Sequence, residues 1–191
     1  MGLNLYLMAP ILHTLIGLFL FGAIGGNLYN SFHAFSGTIP VTPTHINPLL
    51  DWTSYLLFGF AGVSIGIVTI VFDRFLRKTV PQPSWPNALS AVALLGVFYF
   101  ISACMFLSNT VILLLLIFGF ALVWWLYDRS WQALLAALLV AIAGTSVEIT
   151  LVHLNIYYYA RPQFMGVAYW LPFLYCIASV ATGQLARALN K

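Results

Sequence analysis

Polar and apolar positions along this chain fall into long blocks rather than a short alternation. Six apolar stretches, approximately Leu5 to Leu28, Trp52 to Phe72, Asn87 to Leu107, Thr110 to Tyr127, Trp131 to His153 and Gly166 to Leu189, are separated by polar or proline-bearing breaks. A bilayer core of roughly 30 Å takes about 20 apolar residues per helical span. In lipid every backbone N–H and C=O needs an internal partner, so runs of this kind are helices. A β-barrel would instead show ten-residue segments of alternating polarity, and that pattern is missing from the sequence. The blocks therefore predict an all-α integral membrane protein, one domain over residues 1–191 built as a bundle of six transmembrane helices.

Composition agrees. Of 191 residues 62% are hydrophobic and 6% charged, which leaves too little polar surface to cover a water-soluble domain. The first stretch lacks a basic leading region and a small-residue cleavage site, so it reads as a retained helix. Charge then sets orientation. Arg74, Arg77 and Lys78 follow the second span, Arg129 the fourth, and Arg187 and Lys191 close the chain, while Arg161 alone lies on the other side. By the positive-inside rule both termini are expected in the cytoplasm. Anionic lipid headgroups account for the net charge of +3 without invoking nucleic acid.

The breaks carry their own chemistry. Asn30 to Asp51 reads as the longest outer segment, with His33 and His45 solvated in it. Thr79 to Pro86 reads as a proline-stiffened turn with Trp85 at headgroup level, and Tyr157, Tyr158 and Tyr159 read as an aromatic belt. Where the fourth span stops, the chain has WWLYDRS, Trp124 to Ser130: interfacial rings, then Asp128 or Ser130 placed to cap the next helix and Arg129 placed to snorkel. The Asp-Arg pair recurs at the end of the second span as Asp73 and Arg74, a hint of an internal repeat. Gly22 with Gly26, and Gly62 with Gly66, have the spacing that lets membrane helices approach closely. Cys104 and Cys176 both fall inside apolar stretches and have no metal-ligand spacing, so no metal or cofactor is expected.

One acid falls within a span. An ionised group at the bilayer centre costs roughly 2.5 to 3.5 kcal/mol on insertion scales, so Glu148 is expected to face the bundle interior. Gly144, Thr145 and Asn155 extend a small, polar stripe near it. Two uses of Glu148 stand open: a hydrogen bond to Thr145 or a neighbouring helix, or a hydrogen bond to a bound lipid. His13 lies on the first span with Gly17, either as a satisfied structural group or as a ligand contact.

The ordered set of motifs over roughly residues 60 to 190 resembles the Insig (insulin-induced gene) family. Trp124, Trp125, Asp128, Arg129 and Ser130 match its W-W-x-F-D-R-S, with Tyr127 for Phe; Tyr157, Tyr159, Pro162 and Phe164 match its outer turn. Trp170, Leu171 and Pro172, then Gly183 and Arg187, match its last span, and Asp73, Arg74 and Trp85 fit its turn between spans two and three. The resemblance implies six helices, no enzymatic activity and a pocket within the bilayer. It implies oxysterol or diacylglycerol as the class of ligand, and a sterol-sensing-domain membrane protein as a class of partner. By position, Asp128 is the residue the family uses for partner binding. Two positions depart from the family: Val111 stands where a sterol-pocket glutamine is expected, and Glu148 where threonine is. A compact bacterial homologue is the nearest likeness, which implies a bacterial cytoplasmic membrane rather than the endoplasmic reticulum.

The leading expectation is a lipid-binding sensor or adaptor, with a pocket between spans one, two, three and five. Trp124, Glu148, Thr145 and His13 are its expected lining residues and Asp128 its partner contact. Two other classes remain. A small transporter or half-transporter that forms a homo-oligomer would show broken helices and ligand flux. An intramembrane enzyme would need clustered catalytic groups, and the four acids and four histidines are scattered.

Overall fold

The computed structural model describes residues 5–40, 52–76 and 84–191. The helices are α1 (Leu5–Leu20), continued through a π-helical turn (Phe21–Gly26) into α2 (Asn27–Ser36), then α3 (Trp52–Phe75), α4 (Trp85–Ser102), α5 (Asn109–Tyr127), α6 (Trp131–His153) and α7 (Leu171–Leu189). Their starts follow from local chemistry. The hydroxyls of Ser84, Ser108 and Ser130 each accept a bond from the backbone N–H three residues on, at Asn87, Val111 and Ala133. Each satisfies one otherwise orphaned donor of a helix N-terminus. Gly37 ends α2 at φ 79°, a left-handed conformation that glycine adopts without a steric penalty.

Five of these helices, the continuous Ile11–Ser36 together with α3, α4, α5 and α6, are long and apolar enough to cross a bilayer. The sixth, α7, is the hub. Every residue from Cys176 to Ala188 is buried, because the other helices surround it on all sides. A helix with no lipid face does not need a lipophilic one, so α7 carries Ser179, Thr182, Gln184 and Arg187 in its buried stretch. The chain is thus a six-span helical membrane protein. Its first and last spans meet at one end, where the Thr14 hydroxyl donates to the Leu189 carbonyl at 3.1 Å.

Both glycine pairs lie at one helix crossing. A Cβ added to Gly22 would meet the Phe58 carbonyl oxygen at 2.2 Å, and one added to Gly62 would meet the Leu18 carbonyl oxygen at 2.6 Å. Here the first span and α3 touch backbone to backbone, which maximises van der Waals contact where lipid supplies no hydrophobic drive.

Several boundaries differ from the sequence reading. The first span runs on to Ser36 instead of ending near Leu28, so His33 is not solvated. It is 2% exposed, with Nε2 at 2.8 Å from the Ser102 hydroxyl and its ring against Tyr99 and Trp170. The loss of apolar character after Leu28 marks a helix end that packs on protein, not a loop. The third span stops at Ser102, and Cys104 lies in the turn that follows instead of inside a span. Residues 166–170, assigned to the sixth span, form a turn before α7. Asn155 lies past the end of α6 in a left-handed turn (φ 57°), so the polar stripe stops short of it. His45 and most of the connections from α2 to α3 and from α3 to α4 fall outside the described residues.

Candidate functional site

At the end of the bundle that holds the C-terminus, the two Asp-Arg turns converge on one residue of the hub. The Arg187 guanidinium takes Asp73 of α3 in a fork, Nε to Oδ2 at 2.6 Å and Nη2 to Oδ1 at 3.0 Å. Its Nη1 donates to Asp128 Oδ2 at 2.7 Å. A planar guanidinium suits two carboxylates held at different angles. The Asp-Arg repeat therefore has a structural meaning: each copy supplies an acid to the same arginine.

The WWLYDRS turn is built around this clamp. Ser130 caps α6 and also donates to Asp128 Oδ1. Trp124 Nε1–H donates to the Ser130 carbonyl at 2.9 Å, so this ring fastens the turn and lies outside the cavity described next. Arg129, at φ 58°, stacks its guanidinium 4.6 Å from the Trp125 ring centre.

Midway through the bundle is a cavity of about 350 Å³, walled by the π-turn, α2, α3, α4, α6 and α7. The spans expected from the sequence all contribute, and α7 adds Tyr175, Ala178 and Thr182. Its volume lies at the lower end of the range for small-molecule sites. Leu57 and Phe60 of α3 and Leu139 and Val147 of α6 line it and are also exposed, so the mouth opens sideways between these helices toward hydrocarbon. The π-turn helps shape the wall: Phe21, Gly22 and Gly26 all line it, and such turns recur at functional sites.

Glu148 is the one acid on this wall, and it is not bonded to Thr145. Three phenols reach it: Tyr157 and Tyr159 donate to Oε2, the latter at 3.0 Å, and Tyr175 donates to Oε1 at 2.8 Å. Tyr157 and Tyr159 lie on the connection between α6 and α7. Burial first, then the Glu148 charge, holds both phenols well above the ordinary tyrosine range, so they remain donors. Their reading as part of an aromatic belt is therefore corrected for these two; Tyr158 between them is exposed. Alternation along the extended segment turns 157 and 159 inward and 158 outward. Tyr175 crosses α6 at Gly144, where a Cβ would lie 2.7 Å from its ring.

The remaining expected residues lie apart. Thr145 is buried but outside the cavity wall, and no described residue hydrogen-bonds its hydroxyl. His13 is exposed on α1, and Val111 is exposed on α5. Asp128 belongs to the clamp. Of the five residues named from sequence, only Glu148 lines the cavity. The ones missed were Tyr29, Tyr99 and Tyr175, which sit in spans where a tyrosine gives no signal distinct from an interfacial ring.

The sequence model of the insulin-induced protein (INSIG) family matches residues 13–190. The chain belongs to this family. Among curated relatives, this Insig chain is 27% identical over 141 residues to the insulin-induced gene 2 protein of Xenopus tropicalis, covering 73% of this chain and 65% of that one. It is 28% identical over 140 residues to the insulin-induced gene 1 protein of Danio rerio, covering 72% and 56%. The chain thus spans between about half and two thirds of the length of the curated relatives it matches. In structure it is similar to MvINS, a mycobacterial Insig homologue from Mycobacterium vanbaalenii, with a TM-score of 0.79 and 22% identity over 92% of this chain and 93% of that one. A cross-linked MvINS trimer matches with a TM-score of 0.77 and 23% identity. The six-span fold with a central last helix is therefore the Insig fold.

Proposed function

We propose that this Insig protein holds a lipid, diacylglycerol or a sterol-like molecule, in the cavity between α3, α6 and the hub, and reports its presence to other membrane proteins. The observation that carries this reading is the cavity itself: apolar over most of its wall, open sideways between α3 and α6, and provided with a fixed acceptor in Glu148. A lipid hydroxyl donating to Glu148 keeps its apolar part among Ile65, Val68, Leu139 and Val140. Binding rather than catalysis is supported by how the described acids are used. Asp73 and Asp128 hold Arg187, and Glu148 holds three phenols.

The family relationship supports an adaptor role toward a sterol-sensing-domain type of partner, with Asp128 contributing through the turn it organises. The charge distribution supports cytoplasmic termini. Likeness to a mycobacterial protein supports a bacterial cytoplasmic membrane, and the trimer of that protein supports a homo-oligomer.

Lipid extracted from the purified protein and identified by mass spectrometry against an empty-membrane control tests the pocket. A neutral lipid at near one per chain is expected. It should be lost in Ala143→Trp, which places an indole at the mouth. Bulk phospholipid in bulk proportions from both proteins would contradict the proposal.

A further inference from the structure

Resting on the lipid-pocket reading, we infer that Tyr157 and Tyr159, which stand outside the cavity, are positioning residues for the lipid head: they hold Glu148 toward it and so couple the pocket to the connection between α6 and α7. The Glu148 carboxyl is gripped from two sides. Oε2 receives the phenols of Tyr157 and Tyr159, and neither of these residues lines the cavity. Oε1 receives the phenol of Tyr175, which lines the cavity together with Glu148. Left alone, a glutamate side chain samples many rotamers about its torsions. Two bonds at Oε2 remove that freedom and leave Oε1 on the cavity side, where it takes one phenol and keeps room for a second donor. The grip requires only that Glu148 accept, which a carboxyl group does whether neutral or ionised. A partner fixed in advance binds a ligand more tightly than one the ligand must first order.

The two phenols are themselves held in place. Tyr159 is 4% exposed, and its ring meets those of Tyr157 and Trp170 edge-on, with centres 6.1 and 6.4 Å away. The residues after it are anchored to other elements. The Ala160 N–H donates to the Thr38 carbonyl, just past α2, at 3.0 Å. The Arg161 guanidinium donates to the Leu107 carbonyl at 3.0 Å and to the Met105 carbonyl, both in the turn between α4 and α5. Asn109 Nδ2 donates back to the Arg161 carbonyl at 3.3 Å. Pocket and connection are thus joined through one carboxyl group, toward the end of the bundle opposite the Arg187 clamp. Coupling between sites is reciprocal, so a bound head that engages Glu148 steadies the connection in return. Tyr158, between the two phenols in sequence, is exposed and serves as the internal control.

The test measures saturable binding of dioleoylglycerol, and of its acetyl ester with the same chains and no free hydroxyl, to the purified full chain in a non-ionic detergent. The readout is the ratio of the two affinities, because a variant that merely loosens the bundle weakens both lipids alike. The native chain is expected to prefer the free hydroxyl by about fivefold or more, the ratio that one typical hydrogen bond supplies. Tyr157→Phe combined with Tyr159→Phe is expected to lose most of that preference, while Tyr158→Phe keeps it. A native chain without the preference, a combined variant within about twofold of the native ratio, or an equal loss in Tyr158→Phe overturns the inference and leaves the pocket reading standing. Absence of saturable binding by both lipids sinks the pocket reading as well. If the combined variant fails to fold, hydrogen exchange in the native chain decides. Dioleoylglycerol should slow exchange of the Ala160 amide more than the ester does, and equal exchange with both lipids overturns the inference.

Discussion

Arg187→Met is expected to destabilise the bundle by about 3 to 5 kcal/mol, the usual cost of removing one partner from a buried ion pair. The side chains involved are 7% exposed for Arg187, 11% for Asp73 and 1% for Asp128, so water does little to screen the loss. Methionine fills a similar volume, which leaves electrostatics as the main change. The clamp joins α3, the turn between α5 and α6, and the hub, so its loss should loosen all three at the end that holds the C-terminus. Arg187→Lys is expected to lose less, since an ammonium keeps the charge but cannot present a fork to Asp73 while also reaching Asp128. Unfolding of the purified protein by SDS titration in mixed micelles reads both. A methionine variant within about 1 kcal/mol of the native protein would mean that the acids are held by other groups, and the clamp reading would fail. The same geometry changes what Asp128 implies for partner binding. Its carboxylate points into the clamp and to Ser130, so its removal should act on a partner through the shape of the turn.

The second large effect is steric. Gly62→Val should cost roughly 2 kcal/mol or more, at or above the middle of the range for overpacking, because the atoms in the way are backbone: the Leu18 carbonyl oxygen at 2.6 Å and Gly22 Cα at 3.1 Å from the new Cβ. Side chains can rotate aside, but a carbonyl in a helix moves only with its helix. The first span and α3 would have to separate, and both line the cavity, so retained lipid should fall together with stability. Ala61→Val changes a neighbour that also lines the cavity but is not at the crossing, and serves as the control. Equal stability of the two variants in the same titration would contradict a backbone-to-backbone contact at Gly62.

Much of the fold was legible because lipid imposes a simple rule on the residues that face it. Five spans announce themselves by apolar length, and α6 begins and ends at the residues expected. The hub α7 was legible only as an apolar stretch, and its central place was not. Burial within protein relaxes the demand for lipophilic side chains, and hydropathy cannot distinguish that from weakness. His33 shows the opposite error: a polar helix end that packs on Ser102 and Trp170 looks like a loop when partners distant in sequence are unknown. At the site, Glu148 was legible because an acid in a span is expensive enough to need a reason. Its partners were not, since Tyr157 and Tyr159 reach it from a connection whose path is fixed only by the packing of α6 and α7. Trp124 was placed at the right turn of the chain for its interfacial character, and there it bonds the Ser130 carbonyl.

The measurement that bears most directly on a lipid held between α3, α6 and the hub is photo-crosslinking in native membranes, with a diacylglycerol that carries a diazirine partway along one acyl chain, followed by peptide mapping. Adducts on the cavity faces of α3 and α6, between Leu57 and Val68 and between Leu139 and Glu148, suppressed by excess unlabelled diacylglycerol, are the result expected. Adducts confined to outward-facing residues such as Phe118 and Leu114, and unchanged by competitor, would contradict a bound lipid in this cavity.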